Sequence, residues 1–260
     1  MFLEEARATS RDVQGSLCVG LDPHPDRIPE RYGATCDGLR RFLAEIIEST
    51  LPHAAVYKPN AAFFEERGPE GFSVLEEVIA RLHEVGRAVI LDAKRGDIAS
   101  TAAAYARSAF DRLDADAITV VPYMGEDAVT PFLERGRFVF LLTLPSNPSA
   151  AAIVEGASPP LFERIGRMGL ELNRRYPGQV GLVVGATRPE AARRLHDLAP
   201  DIPWLVPGIG AQGGDLAELR AAVGDAHEAW INVSRAVLFD PEPAEAARRW
   251  HREIGVWSDG

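Results

Sequence analysis

Asp92-Ala93-Lys94-Arg95-Gly96-Asp97 places two carboxylates and two cations within six residues, directly after the apolar run Ala88-Val89-Ile90-Leu91. Strand side chains repeat every two residues, so Asp92 and Lys94 leave a strand on one face as neighbours. Gly96 ends the extended run, Asp97 stands at the N-cap position, and residues 98–113 read as an alanine-rich helix. Ions delivered where a buried strand meets its loop lose hydration that pairing returns only in part, so they are a poor way to stabilise a core. An ammonium flanked by carboxylates stays charged, which suits a proton donor and not a Schiff-base lysine. The plainer alternative is a structural Asp-Lys salt bridge with an Asp helix cap.

A second stretch could hold an anion. Pro207-Gly208-Ile209-Gly210-Ala211-Gln212-Gly213-Gly214 runs into a helix near Asp215, so backbone N–H groups and a helix N-terminus can converge on a phosphate without a Cβ in the way. As a string it also matches a dinucleotide fingerprint, but it falls near the end of the chain and not in an opening βαβ unit, which speaks against NAD. Arg235 follows after one further strand, and its guanidinium can grip phosphate oxygens at two places.

These residues must be carried by a scaffold. Apolar runs at 16–22, 54–60, 117–121, 138–143, 180–185, 203–207 and 229–233 join the run before Asp92 to make eight strands. Helical patterns or helix-like segments alternate with them at 37–50, 70–85, 98–113, 125–134, 160–175, 189–198, 215–223 and 243–252. Continuous apolar strands are what a parallel sheet covered on both sides requires, and eight such units predict an α/β fold, a (β/α)8 TIM barrel. We expect one domain over residues 1–260, with a short lead-in helix before residue 16. Barrel chemistry sits on loops after the C-terminal strand ends. Asp22, Lys58, Asp92, Lys94, Ser146, Asn147, Pro207, Ser234 and Arg235 all stand there.

Composition sets the bounds. The 260 residues are 46% hydrophobic and carry a net charge of −10, which disfavours nucleic-acid and acidic-membrane surfaces. Cys18 lies in an apolar strand and Cys36 in a polar loop, too few for a disulfide framework and with no metal-ligand spacing, so a reducing cytoplasm is expected. No signal peptide or membrane span is evident.

Read to this point, the chain resembles the orotidine 5′-phosphate decarboxylase family from Cys18 to Leu238. Asp92-Ala93-Lys94-Arg95-Gly96-Asp97-Ile98 matches the D-x-K-x-x-D signature in the form of the longer-chain bacterial branch. Val19-Gly20-Leu21-Asp22, Lys58-Pro59-Asn60, Ser146-Asn147-Pro148, Pro207-Gly208-Ile209-Gly210 and Asn232-Val233-Ser234-Arg235 add support in the same order. The departure is Leu144-Pro145 before Ser146, where a smaller or polar residue is expected.

The resemblance implies conversion of orotidine 5′-phosphate (OMP) to uridine 5′-phosphate (UMP) and CO2 in pyrimidine biosynthesis, with no metal and no organic cofactor. It makes Lys94 the proton donor to C6, in a charged array with Lys58, Asp92 and Asp97. Asp22 and Lys58 would meet the ribose, Ser146 the pyrimidine amide, and Gln212 with Arg235 the phosphate, with Asn147, Pro207, Gly213 and Ser234 as further substrate-binding residues. Asp97, Ile98 and Thr101 would complete the partner's site in a homodimer. A metal-dependent sugar-phosphate enzyme of the same superfamily would instead need an acid where Lys58 stands.

Overall fold

The computed structural model describes residues 2–209, 214–224 and 227–257. Eight strands alternate with helices: β1 Leu17–Leu21, β2 Val56–Pro59, β3 Ile90–Arg95, β4 Ala117–Val120, β5 Phe138–Leu144, β6 Val180–Val184, β7 Trp204–Val206 and β8 Ala229–Val233. Their hydrogen-bonded order is β2-β1-β8-β7-β6-β5-β4-β3, parallel throughout. The two ends of that order meet through parallel bridges from Tyr57 to Val89 and from Asn60 to Asp92. The sheet thus closes as a (β/α)8 barrel, as the alternation of apolar runs and helical patterns predicts.

Period two divides the strand residues between two cores. Leu17, Val19, Leu91, Ile118, Leu141 and Leu182 are among those facing the helices. Cys18, Val56, Ile90, Ala117, Phe140, Val183, Leu205 and Trp230 belong to the inner cluster. The helix Phe2–Val13 closes the N-terminal end of the barrel, with the Phe2 ring 4.9 Å from Phe138 and 5.4 Å from Trp230. The Trp230 indole N–H, stranded in this apolar plug, donates to Ser10 Oγ at 3.2 Å. Gly181 makes the plug possible, because a Cβ there would lie 2.7 Å from the Phe140 ring.

Several local expectations are corrected. The helix after β3 is Ala99–Arg107, continued by a π-turn over Ser108–Arg112, and its N-cap is Ile98 and not Asp97. Ala99, the first residue of that helix, sits at φ +50°, and among the described residues the Asp97 carboxylate accepts only from the N–H of Ile98 at 2.8 Å. Residues 125–134 hold a 3-10 turn, Glu126–Ala128, and a single helical turn, Thr130–Leu133, because Gly125 adopts φ +91° and Pro131 restarts the chain. Cys36 is no loop residue: it is buried as the first residue of the helix Cys36–Thr50, whose cap is Thr35 accepting from Gly38 N at 3.2 Å. In the loop before β4, Asp116 accepts from His83 at 2.9 Å, from Val89 N at 2.8 Å and from Arg137 at 3.3 Å.

One buried group makes stability depend on pH. His227 packs on Trp204 with ring centroids 4.1 Å apart and faces His196 across 3.1 Å between Nδ1 atoms. Burial, then the neighbouring His196, pushes its pKa down to about 4 from the ordinary value near 6.5. The unfolded chain therefore binds a proton that the folded chain refuses, and stability present above about pH 6.5 is lost as pH falls toward about 4, by about 3 kcal/mol at most. In thermal melts across that window, His227→Gln should start less stable at neutral pH and lose less toward acid. A gap to the parent protein that stays constant with pH contradicts this assignment.

Candidate active site

Two residues further along each inward-facing row, from the plug toward the C-terminal strand ends, the barrel presents a different kind of layer. Val56 is followed by Lys58, Ile90 by Asp92, Ala117 by Thr119, Phe140 by Leu142 and Trp230 by Asn232. These residues line a cavity of about 420 Å³ that includes both the strand ends and the loops above them. The alternation that builds the core therefore also delivers polar groups to its upper surface.

Asp92 is the centre of this floor. Lys58 Nζ lies 2.7 Å from its Oδ2 and Lys94 Nζ lies 2.5 Å from its Oδ1. The Thr119 hydroxyl donates to the same Oδ1 at 2.9 Å. Burial alone would discharge both members of the Lys58–Asp92 pair. Burial is the largest influence on Lys58, yet the charges of Asp92 and Asp22 outweigh it and raise its pKa above the usual lysine value. Burial likewise opposes ionisation of Asp92, but Lys58 and then Lys94 hold its carboxyl well below the usual carboxylate range. Lys94 differs in exposure: its side chain is 47% accessible against 4% for Lys58. Its backbone is in the left-handed region, at φ +45°, a conformation that costs a non-glycine residue about 1–3 kcal/mol.

The opposite wall is made by the loops after β5 to β8. Ser146 and Asn147 line the cavity, and their loop is tied to the one after β6: Thr187 donates to Ser146 O at 3.0 Å and Arg188 to Asn147 O at 2.8 Å. Gly185 allows this approach, since a Cβ would stand 2.7 Å from Ser146 Cα. Pro207, Ser234 and Arg235 also line the cavity, as does Asp22. Asp22 Oδ1 and Ser234 Oγ are buried without a hydrogen-bond partner, and the Arg235 guanidinium has neither an ion pair nor a hydrogen bond among the described residues. A buried acceptor left open in this way is ready for a ligand.

Gln212 and Gly213 lie outside the described residues. The expected helix N-terminus is not an open anion site: the helix Leu216–Val223 is capped by Asp215, whose carboxylate accepts from Ala217 N at 2.7 Å and Glu218 N at 3.1 Å. Asp97, Ile98 and Thr101 are absent from the cavity lining of their own chain, and Ile98 is 50% exposed. Asn60, Thr119, Leu142, Val183 and Asn232, by contrast, line the cavity although the sequence does not mark them as site residues. Thr119 carries a usable signal, as the one polar residue of β4, two positions beyond the inward-facing Ala117. Among the described residues no group of three or more His, Cys, Asp or Glu is placed to hold a metal ion.

Known proteins share this chain's sequence and its barrel. The sequence model described as orotidine 5′-phosphate decarboxylase / HUMPS family matches residues 15–250. The orotidine 5′-phosphate decarboxylase of Herpetosiphon aurantiacus is 43% identical over 258 residues, spanning 96% of this chain and 94% of that protein. Its counterpart in Roseiflexus castenholzii is 45% identical over 265 residues, spanning 97% and 95%. The solved OMP decarboxylase of Leishmania donovani superposes with a TM-score of 0.86 at 40% identity, over 97% of this chain and 96% of that one. On a matched span of this length and on identities of this size, the chain belongs to the orotidine 5′-phosphate decarboxylase / HUMPS family.

Proposed function

We propose that the chain decarboxylates OMP to UMP and CO2, with Lys94 supplying the proton to C6. The observation that carries this reading is a single cavity with the Lys58–Asp92–Lys94 array on its floor and an unpaired Arg235 in its wall. When the bond from C6 to the carboxylate breaks, its electron pair stays on C6 in the plane of the ring, where the ring carbonyls cannot delocalise it. Stabilisation has to be electrostatic, from a cation already in place beside C6. The ammonium of Lys94 meets that need and then transfers one proton to C6, leaving a neutral amine that solvent reprotonates.

One cation does not account for the whole effect. At an effective dielectric of about 20, a charge pair at 4 Å is worth roughly 4 kcal/mol, whereas enzymes commonly lower barriers by about 8–23 kcal/mol. The rest is assigned to binding groups remote from C6: Arg235 on the phosphate, Asp22 and Lys58 on the ribose, Ser146 and Asn147 on the base. Their binding energy holds the reacting carbon against the array. No cofactor enters this scheme. A metal-dependent sugar-phosphate reaction is the other chemistry within reach of such a barrel. The buried Lys58 ammonium against Asp92 disfavours it, because a divalent cation at that carboxylate would meet a fixed positive charge.

A cytoplasmic homodimer is part of the proposal. Ile98, Tyr105, Tyr123 and Met124 are exposed large apolar residues on the segments that follow β3 and β4, close in sequence to the array. Covering them with a second copy would bring its Asp97 and Thr101 toward this cavity. Two free cysteines and a net charge of −10 suit a reducing, aqueous compartment.

The reading is tested by following OMP absorbance with purified protein, with and without EDTA. Turnover insensitive to the chelator is expected, and Lys94→Ala should lower kcat by about 10³-fold or more while still binding UMP. A variant with near-normal kcat removes Lys94 from the proton-transfer role. Arg235→Ala should raise KM for OMP by about 10- to 100-fold, the worth of a charged hydrogen bond, and leave the nucleoside orotidine unaffected. Equal losses on both substrates place Arg235 elsewhere. Mixing Lys94→Ala with Asp97→Asn subunits should restore about a quarter of the parent activity, because half the dimers then carry one intact site. No recovery on mixing puts Asp97 in its own chain's site.

A further inference from the structure

β3 and β4 are unevenly paired. Ile90 stands opposite Ala117 and Leu91 opposite Ile118, but the next partners are Arg95 and Val120. Asp92, Ala93 and Lys94 of β3 thus face Thr119 alone on β4. Such a mismatch interrupts the ladder, and buried backbone groups then need other partners. Toward β2, the carbonyl of Asp92 accepts from Ala61 N at 3.1 Å. Toward β4, the N–H of Lys94 donates to Thr119 Oγ1 at 3.0 Å. The ladder resumes one step later, where Val121 N donates to Arg95 O at 2.7 Å.

The same Thr119 hydroxyl donates to Asp92 Oδ1, and that oxygen also accepts from Lys94 Nζ. One side chain therefore holds the Lys94 residue at both ends: the root through its backbone N–H, the tip through the carboxylate oxygen on which the amine rests. A hydroxyl has a single proton, and here it is committed to Asp92 while a lone pair receives the N–H of Lys94. Lys94 is the member of the array in most need of such restraint. Its side chain is nearly half exposed, and its left-handed backbone persists only if the surroundings impose it. Ile118 and Val120 on either side of Thr119 face the outer core and cannot serve.

We infer that Thr119 is the positioning residue for the Lys94 amine, its hydroxyl fixing the β3 bulge and the Asp92 oxygen together so that the ammonium stands ready beside the reacting carbon. The inference rests on the decarboxylase reading and adds a residue to it that acts through Lys94 and Asp92. Thr119→Val keeps the shape and loses the hydroxyl; Thr119→Ser keeps the hydroxyl and loses a methyl group.

With OMP as substrate, Thr119→Val should lower kcat by about 10- to 100-fold, the scale expected of a misplaced reacting group, and leave KM and UMP affinity within about threefold. Thr119→Ser should recover kcat to within about threefold of the parent protein. Hydrogen exchange at the Lys94 amide should be faster in the valine variant than in the parent and serine proteins. A kcat for Thr119→Val within about twofold of the parent overturns the inference, as does a serine variant as impaired as the valine one. Should the valine variant not fold, Thr119→Ser against Thr119→Ala carries the same comparison, because those two variants differ only in the hydroxyl. If the parent protein leaves OMP unchanged, the decarboxylase reading fails separately. Lys94 amide exchange still decides whether Thr119 holds the bulge, and equal exchange in all variants overturns it.

Discussion

The carboxylate of Asp92, buried and shared between two ammonium groups, is the constraint around which the upper half of the barrel is arranged. Lys58 and Asp92 give up their hydration, and each is tolerable there because the other stands 2.7 Å away. Removing either member of the buried Lys58–Asp92 pair leaves an uncompensated buried charge, which costs about 3–5 kcal/mol. The cluster carries a net positive charge with one ammonium sealed in and the other facing the cavity. That asymmetry of exposure separates Lys58, sealed beneath the array, from Lys94, whose side chain is nearly half exposed at the cavity.

A floor of ions needs a rigid base. It is provided by the inner apolar cluster, where Phe2 of the first helix closes against Phe138, Phe140 and Trp230 and leaves the barrel open at one end. Interiors packed in this way resist deformation. The cavity walls depend on different bonds: Thr187 and Arg188 lock the loop after β5 to the loop after β6, with Gly185 permitting the contact. Floor and walls are therefore held by separate sets of interactions.

Much of this is legible in the chain. The eight apolar runs and their spacing specify the barrel, because a strand buried on both faces has no alternative to continuous hydrophobicity. Period two pairs Asp92 with Lys94, and the ends of the apolar runs place Lys58 at a strand end and Ser146 and Arg235 just beyond one. The misses have local causes. Asp97 matches the composition of an N-cap, but the φ of +50° at Ala99 moves the helix start beyond its reach. Asp215 reads as the start of an anion-binding helix end, whereas its own carboxylate occupies the N–H groups. Thr119 escapes notice because a threonine in a strand is ordinary by propensity.

Composition and short-range periodicity suffice for the succession of strands and helices, and the motifs at the strand ends carry the family resemblance. It took the closed barrel to establish that three residues of β3 face one of β4, that Asp92 lies between two amines, and that Asp97 and Thr101 do not line the cavity of their own chain. Those facts depend on register and ring closure, which bring together Lys58, Asp92 and Thr119 from three different strands. No local pattern along the chain encodes a distance of that kind.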